Sequence, residues 1–221
     1  MTATFAEELK QHSIKTWQEI LDHRFIEELS KDTLPMNKFV FYLLQDHYFL
    51  YAFSKILQSA KLKAYDNKMR EWLEMLYFST INSEMKMQRD LLYSLGVASP
   101  SIDLGNIIPS KATLDYISFL EGISSVGKFS EIVSAITPCP WTYLEISQKL
   151  SRANIKNKVS KIWVQFYSSG ESFKQVADIQ QVLNLLSEGE NQEYHQKMMN
   201  HFVEACKYEF HFWEMTYNLR G

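Results

Sequence analysis

Apolar residues recur at intervals of three and four along most of this 221-residue chain, which is the period of an amphipathic α-helix. The pattern is clear after the pair Leu34-Pro35. A helix is predicted to begin at this pair, because proline suits the first position of a helix. Apolar positions of the face that follows are Phe39, Tyr42, Leu43, Phe49, Leu50 and Phe53. No segment shows the signals of a strand.

Capping residues, glycines and prolines set the boundaries of the predicted helices. Thr4 and Asp66 are predicted N-caps, and Gly122 and Gly127 are weak points of one helix. Residues 97–110 include two prolines and a glycine and predict a loop. The predicted helices cover residues 4–21, 23–32, 34–62, 66–95, 113–136, 139–153, 157–168, 171–186 and 190–219.

These elements predict an all-α helical bundle that forms a single domain over residues 1–221. Seven Gly and five Pro are few for the turns of an all-β fold. Large side chains are abundant, with 14 Phe, 12 Tyr, 5 Trp and 9 Met. They predict a bulky interior that has room for a pocket.

Charge and cysteine content argue against several classes of function. A net charge of −3 gives no electrostatic basis for binding nucleic acid. Two widely separated cysteines argue against a disulfide framework or a zinc site and fit a reduced, cytoplasmic setting. The N-terminus does not resemble a secretory signal, and no apolar run approaches the roughly 18 residues of a membrane span.

The segment Thr-Pro-Cys-Pro-Trp-Thr-Tyr-Leu-Glu at residues 137–145 places a thiol between two prolines where a helix is predicted to begin. Pro140 suits the first helical position, and a residue before proline prefers an extended backbone, so Cys139 is the predicted N-cap. Free N–H groups and the helix dipole there favour a thiolate. Tyr143 shares its face. Taken alone, the segment fits an ordinary buried cysteine equally well.

Two carboxylates interrupt apolar stripes. Asp46 lies within the stripe described above, and Glu209 is surrounded at helical spacing by Phe202, Ala205, Cys206, Phe212 and Trp213. Burying a carboxylate is unfavourable unless it is paired or hydrogen-bonded, so both residues are candidates for a polar network or a ligand site. Desolvation should raise the pKa of Glu209, which suits acid–base catalysis. A purely structural carboxylate is the alternative for Asp46.

Tyr116, Tyr143 and Tyr167 are candidates for the wall of the same cavity, and core packing is the alternative for each. Inward carboxylates also occur in di-iron bundles, but those need Glu-x-x-His pairs, which this chain lacks. We therefore expect no metal ion or other cofactor, although haem ligation by His12 or His23 stays open.

Several blocks of the chain, in the expected order, resemble the TenA family, thiaminase II. The blocks are Leu34-Pro35 with Phe39-x-x-Tyr42-Leu43-x-Gln45-Asp46-x-x-Phe49-Leu50, then Pro138-Cys139-Pro140-Trp141-Thr142-Tyr143-Leu144-Glu145, Trp163-x-x-x-Tyr167-Ser168-Ser169 and Glu209-Phe210-His211-Phe212-Trp213. The resemblance implies a haem-oxygenase-like α-bundle, usually a homotetramer. It also implies hydrolysis of a small-molecule aminopyrimidine, either thiamin or a degradation product, which yields hydroxymethylpyrimidine for thiamin salvage.

The resemblance also implies roles for individual residues. Cys139 would add to the pyrimidine ring, and Glu209 would act as general acid and base at the leaving group and the water. Asp46 would hydrogen-bond the amino group and a nitrogen of the ring. The remaining pocket residues would be Phe49, Tyr116, Tyr143 and Tyr167. Phe49 stands where relatives carry tyrosine, so a hydroxyl contact is lost there.

Two other functions are compatible with the same residues. A pyrimidine-binding regulatory protein would keep the pocket with little activity. A cofactor-dependent oxygenase or oxidase on the same fold would carry haem or need a redox cofactor.

Overall fold

The computed structural model describes residues 3–97 and 107–220, and the regular secondary structure of these residues is helical, with no strand. The all-α prediction is therefore confirmed. The α-helices are α1 Phe5–His12, α2 Ile14–Leu21, α3 Arg24–Ser30, α4 Met36–Lys63, α5 Asn67–Ser79, α6 Met85–Ser94, α7 Lys111–Val126, α8 Phe129–Ile136, α9 Pro138–Leu150, α10 Lys158–Tyr167, α11 Gly170–Glu188 and α12 Gln192–Asn218, and a π-helical turn spans Thr80–Glu84.

Two long helices, α4 with 28 residues and α12 with 27, form the centre of the bundle. They pack against each other, and α12 also contacts α2, α7, α8 and α9, while α4 contacts α5, α6 and α7. Asp46 lies on α4 and Glu209 on α12. Because neighbouring helices cover both of them, polar residues on their inner faces are enclosed by the bundle.

The predicted N-caps Thr4 and Asp66 are confirmed. The Thr4 hydroxyl accepts a hydrogen bond from the Glu7 backbone N–H at 3.3 Å, and Glu7 accepts one from the Thr4 N–H at 2.7 Å. Asp66 caps α5 by accepting from the Met69 N–H at 2.9 Å. Both caps use free N–H groups that the first turn of any helix provides.

Two helices predicted as continuous are each divided in two. The predicted helix over 4–21 breaks at Ser13, whose backbone angles are φ −100° and ψ 7°. The predicted helix over 113–136 breaks at Gly127, which is extended with φ −74° and ψ 162°. A Cβ atom at Gly127 would lie 2.7 Å from the Ile123 carbonyl oxygen, so the close approach of the chain there requires glycine.

The helix predicted over residues 66–95 is interrupted by the π-helical turn Thr80–Glu84. At its start the Thr80 hydroxyl donates to the Leu76 carbonyl at 3.0 Å, and such side-chain bonds compete with the helical backbone ladder. A π turn contains an additional residue, which rotates all later side chains by about 100° around the helix axis. Glu84 is the last residue of this turn.

Cys139 is not the N-cap that the sequence predicts. Helix α9 begins at Pro138, and Cys139 is its second residue. Thr137 keeps helical backbone angles of φ −65° and ψ −40°, so a single residue joins α8 to α9. The N–H groups of the first helical turn have no partner within the helix. Proline, which lacks an N–H group, is therefore tolerated there at both Pro138 and Pro140.

The predicted loop over residues 97–110 lies mostly outside the described residues, and its described parts, Val97 and residues 107–110, are not helical. Within the described ranges, no helix combines the length and apolar character that a membrane crossing requires.

A polar contact joins the N-terminal helices to α9. The Glu145 carboxylate accepts hydrogen bonds from the indole N–H of Trp17 at 2.9 Å and of Trp141 at 2.8 Å. It also pairs with the Lys10 ammonium at 2.6 Å. Both indoles are buried, with 1% and 6% of their surface exposed, so Glu145 satisfies two donors that water does not reach freely.

We expect Glu145→Ala to lower the free energy of unfolding by roughly 2–4 kcal/mol, because each buried donor left without a partner costs about 1–3 kcal/mol. Denaturant titration of both proteins measures the change. The exposed residue Glu188 provides the control, and Glu188→Ala should have little effect. Equal stabilities of the Glu145 variant and the parent would contradict this role.

Candidate active site

A cavity of about 220 Å³ opens between α4, α5, α9, α10, α11 and the π-helical turn. Its lining includes apolar side chains, a thiol, two tyrosines, two carboxyls and several hydroxyl groups. The lining residues are Leu50, Phe53, Leu76, Ser79, Thr80, Glu84, Cys139, Pro140, Tyr143, Phe166, Tyr167, Ser169, Glu171, Ser172, Gln175 and Val176. Such an enclosed cavity with few polar groups is typical of a small-molecule site.

The structure places the predicted site residues in two layers. Cys139, Tyr143 and Tyr167 line the cavity, so the expected shared face of Cys139 and Tyr143 is observed. Four others are buried but are not part of this lining: Asp46, Phe49, Tyr116 and Glu209. Hydrogen bonds and ring contacts connect the second layer to the first.

Asp46 receives three hydrogen bonds in the interior of the bundle. Its Oδ2 accepts from the Tyr42 hydroxyl at 3.0 Å and from the Gln88 amide at 2.6 Å, and its Oδ1 accepts from the Tyr143 hydroxyl at 3.4 Å. Burial raises the pKa of Asp46 to about 7, and these donors only partly oppose the effect. Asp46 is therefore able to change its charge near neutral pH.

Two residues behind Asp46 fix the direction of its donors. The Trp163 indole donates to the Tyr42 oxygen at 3.0 Å, which leaves the Tyr42 proton for Asp46. His47 Nδ1 lies 3.1 Å from the Gln88 Oε1, so the amide oxygen is occupied and the amide nitrogen faces Asp46. This order of donors keeps the carboxyl in one orientation.

Glu209 is the second buried carboxyl of the network. Its Oε1 accepts from the Tyr116 hydroxyl at 2.8 Å, and the Phe49 ring lies against Tyr116 with 4.8 Å between ring centroids. Burial raises the pKa of Glu209 to about 8, and the nearby Asp46 charge adds to the rise. The raised pKa expected from the sequence is thus found.

The surroundings of the Cys139 thiol disfavour its ionisation. Burial raises its pKa well above the ordinary value, and the charges of Glu209, Glu84 and Asp46 raise it further. The expectation that the helix start favours a thiolate is therefore wrong for the unliganded site. Desolvation and three neighbouring acids outweigh the dipole of α9.

Glu84 is a site residue that the sequence did not reveal. It lines the cavity, and its Oε1 accepts from the Tyr167 hydroxyl at 2.6 Å. Burial and the Asp46 charge raise its pKa to about 8. At helical spacing Thr80 and Gln88 are also polar, so the apolar stripe around Glu84 is less regular than those around Asp46 and Glu209. The signal that the sequence did offer is a carboxylate among four apolar or aromatic residues at helical spacing, Tyr77, Ile81, Met87 and Leu91.

The site has a strong excess of acids. The described residues that line the cavity include no Lys, Arg or His. In residues 3–97 and 107–220, no three His, Cys, Asp or Glu side chains form a group that could hold a metal ion. A thiol beside carboxyls with pKa values near 8 can support proton transfer to and from a covalent intermediate at neutral pH.

Comparison with known proteins identifies the fold and then the family. A structure from Shewanella denitrificans OS217, described as a domain of unknown function with a heme oxygenase-like fold, aligns with a TM-score of 0.75, covers 96% of this chain and 91% of the other, and is 14% identical. The fold of this protein is therefore haem-oxygenase-like. The model of the TENA/THI-4/PQQC family matches residues 11–219, and the chain belongs to that family.

Individual relatives match nearly the whole length of the chain. A protein named aminopyrimidine aminohydrolase from Halalkalibacterium halodurans is 27% identical over 98% of this chain and 97% of its own length. The structure of a TenA homologue from P. horikoshii OT3 aligns with a TM-score of 0.89 at 25% identity, and covers 98% of this chain and 99% of the other.

The raised pKa values predict how stability depends on pH. In the window from about pH 4 to 8 the folded protein holds protons that the unfolded chain has released, on Asp46 up to about pH 7 and on Glu84 and Glu209 up to about pH 8. These groups therefore lower the free energy of unfolding as pH rises through that window. Glu209→Gln keeps an acceptor for Tyr116 and removes one such group.

We expect Glu209→Gln to be more stable than the parent at pH 8 by on the order of 1–3 kcal/mol, with a smaller difference at pH 5. Denaturant titrations at both pH values measure the two differences. Glu188→Gln, at an exposed position, controls for the loss of one charge. A difference that is the same at both pH values would show that Glu209 is not protonated in the folded protein.

Proposed function

We propose that the protein is a thiaminase II-type hydrolase that releases hydroxymethylpyrimidine from thiamin or from an aminomethylpyrimidine by way of a Cys139 adduct. The observation that carries the proposal is a thiol on the wall of an enclosed cavity with a high-pKa glutamate beside it. The relative from Halalkalibacterium halodurans, named aminopyrimidine aminohydrolase, supports the choice of substrate class.

Cys139 and Glu209 act as a nucleophile and its proton partner. Ionised Glu209 accepts the thiol proton while sulfur forms a bond to a carbon of the pyrimidine ring. The bond from the exocyclic carbon to nitrogen then breaks, and the protonated Glu209 gives its proton to the departing ammonia or, with thiamin, to solvent. Glu209 next takes a proton from the water that bonds to this carbon, and it passes that proton to the sulfur when the carbon–sulfur bond breaks. The net reaction consumes one water and regenerates the free thiol. A pKa of about 8 lets Glu209 serve in both directions near neutral pH.

Asp46 and the aromatic residues hold the ring. The contact from Tyr143 to Asp46 Oδ1 is the longest of the three that Asp46 receives, at 3.4 Å, and is the one that a ligand can replace most readily. The amino group of the substrate takes that oxygen when the Tyr143 hydroxyl moves aside. The rings of Tyr143 and Tyr167, whose centroids lie 5.0 Å apart with their planes inclined at 57°, offer the pyrimidine two aromatic surfaces of different orientation.

Replacement of the nucleophile tests the proposal. Cys139→Ala should lower the release of hydroxymethylpyrimidine from thiamin and from aminomethylpyrimidine by a factor of at least about 10³, because no adduct forms. Chromatographic measurement of product with each substrate separately gives the rates.

The second cysteine provides a matched control. Cys206 is fully buried on α12 and does not line the cavity, so Cys206→Ala should keep turnover within a few-fold of the parent. Full activity in Cys139→Ala would refute the mechanism. Tight binding of hydroxymethylpyrimidine by calorimetry, with no turnover of either substrate in the unmodified protein, would instead favour a binding protein.

A further inference from the structure

Glu84 has capacity for a hydrogen bond that the protein does not use. Its Oε1 accepts from Tyr167, but among the described residues no donor reaches its Oε2 and no cation pairs with it. The side chain is partly open because it faces the cavity. The unused oxygen is therefore accessible to a molecule that occupies the cavity.

A structural role does not explain a carboxyl at this position. An amide could accept the Tyr167 hydroxyl equally well, without the unfavourable burial of an acid beside Asp46 and Cys139. The groups that face Glu84 are neutral or acidic, and Glu171 at the cavity rim adds another acid. The arrangement is unfavourable for the empty protein and becomes favourable when a cation with N–H donors enters.

We propose that Glu84, supported by Tyr167, is a specificity-determining residue that binds a protonated amino group on the substituent of the pyrimidine substrate. The inference rests on the proposed function and adds to it a contact outside the ring-binding and proton-transfer residues. A primary ammonium donates a charge-assisted hydrogen bond to Oε2, whereas a thiazolium offers only its charge and a hydroxymethyl group offers neither charge nor N–H. Glu84 thus favours an aminomethyl substrate over thiamin and over the neutral product.

Proton release accompanies such binding. In the empty protein Glu84 has a pKa of about 8 and is largely protonated at pH 7. An aliphatic amine is already protonated at that pH, so forming the ion pair ionises Glu84 and releases up to one proton to the solvent. Asp46, Cys139 and Tyr167 also face Glu84, but the neutral hydroxymethyl ligand contacts the same surroundings and provides the reference.

Calorimetry in the Cys139→Ala background tests the inference without turnover. At pH 7, in two buffers of different ionisation enthalpy, aminomethylpyrimidine should release more protons on binding than hydroxymethylpyrimidine. Adding Glu84→Gln should weaken the binding of aminomethylpyrimidine about 10- to 100-fold, the range expected for a charge-assisted hydrogen bond. It should also abolish the additional proton release. Binding of hydroxymethylpyrimidine should stay within about threefold, which also shows that the site is folded. Glu188→Gln in the same background controls for net charge and should leave both ligands unchanged.

The outcomes separate this inference from the proposed function. The role of Glu84 would be overturned if Glu84→Gln weakened the binding of both ligands equally or left the binding of both unchanged. It would also be overturned if the two ligands released equal numbers of protons with Glu84 intact. If the unmodified protein still converts aminopyrimidines, the proposed function survives that result. If it converts none of them, the proposed function fails, and the inference fails with it.

Discussion

The burial of three acids around one thiol, with no basic side chain in the described cavity lining, is the constraint on which the site depends. Asp46, Glu84 and Glu209 come from α4, the π-helical turn and α12, which are separate segments of the bundle. Each acid is unfavourable in its ionised form because of desolvation, and the charge of Asp46 raises the pKa of the other two. The packing of the bundle must therefore supply enough hydrogen bonds to keep them inside.

Tyrosine hydroxyls supply most of those hydrogen bonds. Tyr42 and Tyr143 donate to Asp46, Tyr167 donates to Glu84, and Tyr116 donates to Glu209. A neutral donor satisfies a carboxyl without fixing its charge, whereas a lysine or arginine would hold it ionised and lower its pKa. The choice of tyrosine leaves all three acids with pKa values of about 7 to 8, in the range where proton transfer at neutral pH is efficient.

Much of this arrangement was predictable from the sequence, and the failures have local causes. Asp46 and Glu209 were found because long, regular helices keep the 3.6-residue period on which the stripe argument relies. Glu84 was missed because Thr80 and Gln88 make its stripe irregular and because a π-helical turn changes the period at the residue itself. The start of α9 was predicted too late. A residue before proline prefers an extended backbone, but the first turn of a helix tolerates proline, and at Cys139 the helix forms nevertheless. The break at Ser13 was not predicted, because a single hydroxyl residue is too weak a sequence feature to indicate the end of a helix.

The high pKa of the thiol has a consequence for how the site reacts. A permanent thiolate at a cavity wall would be open to oxidation and alkylation, whereas a protonated, buried Cys139 is comparatively inert. Deprotonation requires an ionised acid beside it, and in the empty cavity the pKa values of Glu84 and Glu209 lie near 8. A cationic ligand favours ionisation of the acids that it contacts. In the proposed enzyme a cationic substrate thus helps to create the nucleophile that attacks it, because its positive charge offsets the negative charge that the acidic cavity otherwise disfavours.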